Sequence, residues 1–340
     1  MVVEEKIRSV YKLGDSTLVM SLPKTWTKSI QLKKGDKLSV YMEKDGTLSL
    51  SPRNLVGGSL SEVEISIDIS NVDDLERKII AQYIGGYSHI KLKAINGLFT
   101  SYHHNIIRGS IGKLIGLNIM ELTAEEVFIQ SLLDPSELPI RKGLERTHAL
   151  AFSMFNSALK ALMTSDDKMA KNILKMRIDL TRFYYLILRQ LRSSLLRSDV
   201  LRRLNLEPID CLDALSASQI IIRVAKNVER ILKNIIALRN YPIPSEIALL
   251  IKVFGEKALD IYDKSANAFL NNISLNFSVN VVQSEFNAES LKLTTKLAEA
   301  RKEGVPCETM CLIIQIVDRI GRIGDYGIEL AETIIYSSIQ

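Results

Sequence analysis

Residues 8–52 read RSVYKLGDSTLVMSLPKTWTKSIQLKKGDKLSVYMEKDGTLSLSP, and this stretch determines the fold of the N-terminal part. Runs of alternating β-branched and aliphatic residues between turn signals predict four strands. These strands are Ile7 to Leu13, Thr17 to Leu22, Lys37 to Met42 and Thr47 to Leu50. Gly14-Asp15 and Lys44-Asp45-Gly46 are tight-turn sequences that close each pair into a hairpin. Between the pairs, Pro23 favours a helix start, and Lys24 to Ile30 can form about two turns.

A unit of about 50 residues with so few apolar side chains is marginally stable alone. We therefore expect residues 1–54 to complete their core with a second copy and to form a homodimer. This segment contains ten Lys and Arg residues against six Asp and Glu residues. Two such basic units on one side of a dimer could contact several phosphates, which would make binding strongly salt-dependent. For any single lysine, the alternative is a solvated surface that supports solubility.

The order of these elements resembles the SpoVT/AbrB swapped-hairpin domain. The shared features are a Gly turn at Gly14, a strand ending in Leu22-Pro23-Lys24, a short helix, and Lys33-Lys34-Gly35-Asp36 before a hairpin. The resemblance implies an intertwined dimer whose basic face contacts DNA, largely through the DNA backbone and shape. The DNA contacts that it implies are Arg8, Lys12, Lys24, Lys28, Lys33 and Lys34. The only tryptophan, Trp26, is expected in the core or the dimer seam.

Residues 55–133 have the signals of a small α/β module. Gly57-Gly58-Ser59 is typical of a linker, and the pattern beyond it predicts the order β-α-β-α-β-β. Gly85-Gly86 and Gly116 are expected to end the two helices. Because residues 109–114 lack the Walker spacing of a phosphate loop, we interpret the segment as a spacer or pairing module.

From Leu144 onward, apolar residues recur at helical spacing. The clearest stripe is Met169, Ile173, Met176, Leu180, Phe183, Ile187 and Leu191. Helices near 246–271, 280–303 and 309–338 then repeat the plan of the first three. We predict two tandem three-helix bundles, at 134–245 and 246–340. The whole chain is therefore predicted to be a mixed, multidomain and mainly α protein.

The helical body resembles the PhoU family of phosphate-uptake regulators, which is built from two such repeats. The similar segments are DRIGRIGDYG at residues 318–327, ELAE at 329–332 and VERI at 228–231. An AbrB-like domain joined to a PhoU-like body is an arrangement known among archaeal proteins. The resemblance implies a partner in phosphate transport, either a transporter ATPase or a signalling protein.

PhoU-like bundles commonly carry acidic E/D-x-x-x-D motifs, in which carboxylates one helical turn apart form an oxygen site for metal ions. The first repeat departs from this pattern. Arg177, Thr181 and Lys233 stand where acids are expected, and only Glu229 remains, while Asp179 falls on another face. Because Arg177 and Lys233 would repel a cation, we expect no metal ion there.

In the second repeat, Gly321 replaces one of the expected acids. The acids that remain are Glu285, Glu289 and Asp325. These three could hold a single divalent or iron ion, and the alternative is that they are solvated helix acids. No cofactor is firmly implied.

Basic residues follow the predicted helix that starts at Asp166-Asp167. They are Lys168, Lys171, Lys175, Arg177, Arg182, Arg189, Arg192 and Arg197, and Arg202-Arg203 extend the same charge. We interpret them as the polar face opposite the apolar stripe. The alternative is a docking surface for an acidic partner or DNA.

The chain has no catalytic motif such as G-x-S-x-G, H-E-x-x-H or E-x-x-H, so no enzyme is predicted. Cys307 and Cys311 could share a helix face but lack two further ligands, and we expect them to be packing residues. The 340 residues are 46% hydrophobic and 24% charged, which excludes disordered and disulfide-stapled classes. An acidic N-terminus and three cysteines favour a cytoplasmic protein without a membrane span.

These observations favour a cytoplasmic DNA-binding regulator of phosphate uptake, with a DNA-binding N-terminal dimer and a helical body that receives the signal. A second hypothesis is a helical signalling adaptor that docks on a phosphate transporter or kinase. In that case the N-terminal domain serves only to dimerise.

Overall fold

The computed structural model describes residues 7–42, 46–52, 60–71, 74–134, 136–164, 166–240, 243–302 and 305–337. The chain divides into two compact units, Met1–Ser59, called the head below, and Leu60–Gln340, called the body. The predicted turn residues Lys44-Asp45 and the predicted linker Gly57-Gly58-Ser59 lie outside the described residues.

The head contains two antiparallel hairpins with one short helix between them. The first hairpin pairs β1 (Val10–Leu13) with β2 (Thr17–Met20), and Gly14 turns the chain at a φ of +66°. Helix α1 spans Lys24–Ser29. The second hairpin pairs β3 (Leu38–Met42) with β4 (Leu48–Pro52). The predicted element order of the head is therefore confirmed, although β1, β3 and β4 begin later than the sequence pattern indicated, β2 ends earlier, and β4 continues to Pro52.

The body begins with an α/β module in the predicted order β-α-β-α-β-β. Its elements are β5 (Leu60–Asp68), α2 (Leu75–Gly85), β6 (Tyr87–Ile95), α3 (Ser101–Ile111), β7 (Leu117–Leu122) and β8 (Glu126–Ser131). The sheet order is β5-β6-β8-β7, with β5 and β6 parallel and the other pairs antiparallel. The module has its own apolar core, which includes Ile79 and Tyr83 of α2, Ile90 of β6 and Ile107 of α3.

Helices make up the rest of the body. They are α4 (Ile140–Thr164), α5 (Asp167–Leu196), α6 (Ser198–Arg203), α7 (Pro208–Ala237), α8 (Ser245–Asn271), α9 (Val279–Lys302) and α10 (Cys307–Ser337). Asp166 starts α5 as its N-cap, since the Asp166 carboxylate accepts a hydrogen bond from the Met169 N–H at 2.9 Å. The long helices of both predicted repeats contribute to one continuous apolar core.

Two details of the body differ from the sequence-based prediction. Helix α3 ends at Ile111 rather than next to Gly116, because the chain tightens into turns in which Lys113 and Leu114 bond to carbonyls three residues back. The short helix α6 was not predicted, and ion pairs of Asp199 with Arg197 and Arg203 hold it in place. Within the described residues, no helix has the length and apolar character needed to cross a membrane.

Gly324 and Gly327 of α10 explain how three helices approach one another closely. A Cβ atom on Gly324 would lie 2.2 Å from the ring of Phe286 on α9, and one on Gly327 would lie 2.8 Å from the Tyr262 backbone on α8. Such distances exclude any larger side chain without movement of the neighbour. Gly321, one turn earlier, would meet nothing within 4 Å. The glycines at 324 and 327 are therefore packing residues.

Candidate nucleic-acid interface

The first hairpin of the head exposes apolar side chains on both of its faces. Directly opposed residues of an antiparallel pair lie on the same face, and successive residues alternate between faces. One face carries Val10, Lys12, Leu18 and Met20, and the other carries Tyr11, Leu13, Thr17 and Val19. All eight side chains are exposed within the single chain. The hairpin therefore has two apolar faces and no cover on either.

The second hairpin is apolar on one face only. The apolar face carries Leu38, Val40, Met42, Leu48, Leu50 and Pro52, and the other face carries Ser39, Tyr41, Ser49 and Ser51. This division is typical of a hairpin that buries one side against a core and keeps the other near water.

None of the described residues of the head is buried. Eleven large apolar side chains of the head are exposed, although the structure describes only residues 7–42 and 46–52 there. Isolated two-stranded hairpins are marginally stable in water, and contiguous exposed apolar surface marks an interaction site. The head therefore lacks a core of its own within one chain.

The predicted DNA contacts are all exposed in the head. Lys24 and Lys28 lie one turn apart on α1, so they share a face of that helix. Lys33 and Lys34 lie in the turn after α1, where the Lys33 N–H donates to the Asp36 carboxylate at 2.7 Å. Lys12 lies on β1, and Arg8 precedes that strand. Within the described residues, none of these six side chains forms an ion pair.

A cluster of charged groups links α5 and α7 in the body. Arg177 Nε lies 3.5 Å from Glu229 Oε2, and Lys233 Nζ lies 2.6 Å from Glu229 Oε1. Arg177 also donates to the Thr181 hydroxyl. Two cations of the chain itself therefore surround Glu229. This geometry agrees with the electrostatic argument that a metal ion would be repelled here.

Two segments of the chain match known protein families. Residues 11–56 match the family described as antidote-toxin recognition MazE, bacterial antitoxin. Residues 144–235 match the PhoU domain. The chain carries a MazE/AbrB-like domain and a PhoU domain. No curated protein matches the chain.

Solved PhoU structures are similar to the helical body. The PhoU crystal structure from Pseudomonas aeruginosa matches with a TM-score of 0.50 and 18% identity, over 58% of this chain and 94% of that one. The phosphate transport system regulatory protein PhoU from Streptococcus pneumoniae gives a TM-score of 0.49 and 17% identity, over 59% of this chain and 93% of that one. At 18% identity, the similarity to the Pseudomonas aeruginosa structure establishes a PhoU-like fold but does not establish a function.

The second half of the PhoU-like body does not gather its acids into a ligand group. Glu285 Oε2 lies 3.8 Å from Lys257 Nζ, and Glu289 Oε1 lies 3.3 Å from Lys292 Nζ. The pKa of Asp325 is raised because neighbouring atoms remove part of its solvent. In the described part of the chain, which includes these three acids, no group of three or more His, Cys, Asp or Glu could hold a metal ion. The arrangement therefore gives no support to the expectation of a single ion at Glu285, Glu289 and Asp325.

Half of the eight basic residues between Lys168 and Arg197 pair with acids of the chain itself. Lys171 pairs with Asp167, Arg182 with Asp179, Arg197 with Asp199, and Arg177 with Glu229. This agrees with their interpretation as the polar face of a helix. Arg189 is the exception, because it is only 2% exposed. Its assignment to the solvated face was wrong.

Arg189 connects helix α5 to the α/β module through hydrogen bonds. Its guanidinium donates to the carbonyl oxygens of Tyr83 at 2.6 Å and Tyr87 at 2.9 Å, and lies 4.9 Å from the centre of the Tyr83 ring. Tyr83 is in the last turn of α2, so the cation stabilises the negative end of that helix. Only one sequence signal could have indicated that Arg189 is buried. It is a second stripe of uncharged residues beside Arg189 on α5, namely Leu186, Gln190, Ser193 and Ser194.

Sequence reasoning also missed a buried histidine that joins the two repeats. His148 on α4 lies between two groups of α8, with its Nδ1 3.2 Å from the Tyr262 hydroxyl and its Nε2 3.1 Å from Asp263 Oδ1. Because α4 and α8 belong to different predicted repeats, no spacing in the sequence connects these residues. The Tyr262 hydroxyl is fully buried, and burial raises its pKa.

Proposed function

We propose that this protein is a DNA-binding transcriptional regulator of phosphate uptake and homeostasis. It acts as a homodimer held together by the head. The head binds DNA, and the PhoU-like body receives the signal that changes this binding. No catalytic step is part of the proposal.

The observation that carries the proposal is the combination of uncovered apolar faces and free cations in the head. A second copy would bury the cation-free apolar face of the β1-β2 hairpin, which carries Tyr11, Leu13 and Val19, and would supply the core that one chain lacks, while Lys12 stays exposed on the opposite face. The same assembly would double the number of unpaired cations. The set in each copy is Arg8, Lys12, Lys24, Lys28, Lys33 and Lys34.

This arrangement suits recognition of the phosphate backbone. Lysine side chains contact phosphates as flexible point charges, and neutralising several phosphates releases counterions. Binding should therefore weaken steeply as salt is raised. Sequence preference would come from the shape of the duplex and from Arg8, since arginine is the residue that best contacts guanine edges.

The proposed role in phosphate homeostasis rests on the PhoU domain match at residues 144–235. In this role the body receives the phosphate signal from a protein partner, and the proposed partner is a phosphate transporter ATPase or a signalling protein. Lys171, Arg177 and Arg182 of α5 already pair with acids of the chain, so the docking surface is expected elsewhere on the body.

The second candidate is the adaptor hypothesis. Here the head only dimerises, and the helical body docks on a phosphate transporter or kinase. The PhoU domain match supports this candidate as well as the first, so DNA binding is the property that separates the two.

The experiment is a titration of full-length protein against two duplexes, its own upstream DNA and an unrelated sequence, at several salt concentrations. The test variant combines Lys12→Ala, Lys24→Ala and Lys28→Ala. The control variant combines Lys160→Ala, Lys226→Ala and Lys292→Ala, which removes the same charge from exposed positions of the body.

We expect wild type and control to bind the upstream DNA with the same salt dependence. The head variant should bind at least about 100-fold more weakly and with a shallower salt slope, because about one counterion is released per phosphate contact. If wild type binds neither duplex above background, the DNA-binding proposal fails and the adaptor hypothesis replaces it. If both variants weaken equally, the head is not the DNA-binding surface.

A further inference from the structure

Cys307 and Cys311 are placed differently from the expectation of packing residues. Both lie in the first two turns of α10, and both side chains are exposed. The third cysteine, Cys211 on α7, is only 2% exposed and does belong to the apolar core. The two cysteines of α10 therefore contribute little to the core.

The two thiols lie side by side. Residues four apart on a helix share a face, with Cβ atoms about 5–6 Å apart. Both side chains are exposed on this face, and the neighbouring Cys307 is the main reason that the pKa of Cys311 is raised. Both cysteines are free thiols. Two sulfur ligands are therefore adjacent at a solvent-accessible surface.

The surroundings favour a complex that carries negative charge. The first turn of a helix has backbone N–H groups without intrahelical partners and the positive end of the helix dipole. A bis-thiolate complex of a monovalent ion has a net charge of −1, which this end of α10 can stabilise.

The number of ligands selects the kind of ion. Zinc in a structural site requires four protein ligands, and among the described residues no group of three or more His, Cys, Asp or Glu could hold a metal ion here. Soft thiolate ligands select Cu(I) among the common biological metals. A pair of thiolates is sufficient for a linear, two-coordinate Cu(I) ion.

We propose that Cys307 and Cys311 form a two-coordinate site for a soft monovalent metal ion of the Cu(I) type. Each binding event deprotonates both thiols, forms two S–Cu bonds and releases two protons, without any change in oxidation state. The site does not depend on the proposed function, since neither DNA nor the head takes part in it.

The test is a titration of the reduced full-length protein with Cu(I) under anaerobic conditions, in competition with the chromogenic chelator bathocuproine disulfonate. We expect one tightly held Cu(I) per chain and release of two protons per ion in a weakly buffered solution. Cys307→Ser and Cys311→Ser should each lower the affinity at least about 100-fold, because each removes one arm of the chelate. The double variant should lose the tight site completely.

Cys211 is present in every variant and therefore reports capture of copper by an unrelated thiol. Because both substituted side chains are exposed, the far-UV circular dichroism of the variants should match that of wild type. Equal copper uptake by wild type and the double variant would overturn the proposal. Several weakly held ions that the chelator removes, or fewer than two protons released per ion, would also overturn it.

Discussion

The head and the body of this chain differ in where their apolar side chains lie. Every buried apolar side chain among the described residues belongs to the body, and none belongs to the head. The head nevertheless has apolar residues, eleven of which are exposed. The body buries an apolar core within one chain. In the described residues of the head, by contrast, the apolar side chains that could form a core are left exposed. This difference is the reason for our proposal that the head completes its core with a second copy.

The largest effect should come from placing a charge on an uncovered face of the head. Leu13 of β1 is 63% exposed in the single chain, and Leu13→Asp would bury two carboxylates in the dimer that we propose. Burying an unpaired charge costs several kcal/mol, so the variant should be monomeric in sedimentation equilibrium at concentrations where wild type is dimeric.

The control for this variant is Leu249→Asp on α8 of the body, where the side chain is 52% exposed. Because this leucine is exposed and outside the proposed interface, its replacement by Asp should leave the molecular mass in sedimentation equilibrium at that of the wild-type dimer. A dimeric Leu13→Asp protein would show that this face of the head is not the dimer interface.

The next largest effect should come from Arg189, which joins the two cores of the body. Arg189→Met keeps the apolar volume but removes the charged donor of the Tyr83 and Tyr87 carbonyl oxygens, and Tyr83 keeps only its hydrogen bond from the Gly86 N–H. Hydrogen bonds from a charged group contribute about 1.5–3 kcal/mol each, so the free energy of unfolding should fall by about 2–4 kcal/mol in urea denaturation. Arg192→Met, at an exposed position on the same helix, should change it by less than about 0.5 kcal/mol. Equal effects of the two variants would refute the anchoring role.

Glycine substitutions on α10 test how closely the helices pack in the core of the body. Gly324→Ala would force a methyl group into the ring of Phe286, which is buried and stacked on Phe254 at 4.8 Å. Overpacking of this kind costs about 1–3 kcal/mol. Gly321→Ala has open space and should stabilise the helix by up to about 1 kcal/mol. Thermal denaturation should therefore give opposite shifts in Tm, and two shifts of the same sign would contradict the packing account.

The smallest predicted effect concerns Asp134, at the junction between the module and the helices. Partial burial acts to raise its pKa, but hydrogen bonds from Ser136 and Arg203 outweigh this and hold the pKa below the ordinary value of 3.8. The pair therefore stabilises the fold above that pH, and this contribution is lost as the pH falls through the folded-state pKa. Because the carboxylate is 40% exposed, Asp134→Asn should cost less than about 1 kcal/mol at pH 7. The cost should decrease as the pH falls below 3.8 and through the lower folded-state pKa, and a cost independent of pH would exclude the ion pair as its cause. Glu125→Gln is the matched control.

The elements of both units could be predicted because their signals are local. Alternation in the head, Gly86 with its positive φ at the end of α2, and the apolar stripe of α5 each depend on neighbouring residues alone. The end of α3 was predicted incorrectly, because the turn at Gly112 has no sequence signal as strong as that of Gly116.

The environments of the site residues were harder to predict, because the residues that contact them come from distant segments of the sequence. Spacing placed Glu285 and Glu289 on one face of a helix, but the position of Lys257 opposite Glu285 depends on how α8 packs against α9. Arg189 was assigned to solvent because nothing near it in the sequence shows that the module covers that face. His148 likewise meets Tyr262 and Asp263 only through packing of α4 on α8.

The head and the body can be observed separately in one sample, because the only tryptophan is in the head and most of the helices are in the body. The decisive measurement is urea unfolding of the full-length protein at two concentrations about 100-fold apart, followed by Trp26 fluorescence and by circular dichroism of the helices. If the head folds only with a second copy, mass action adds about 2.7 kcal/mol of stability over this range. The Trp26 midpoint should then rise with concentration while the helical midpoint stays fixed. A Trp26 midpoint that does not depend on concentration would contradict the claim that the head completes its core by dimerising.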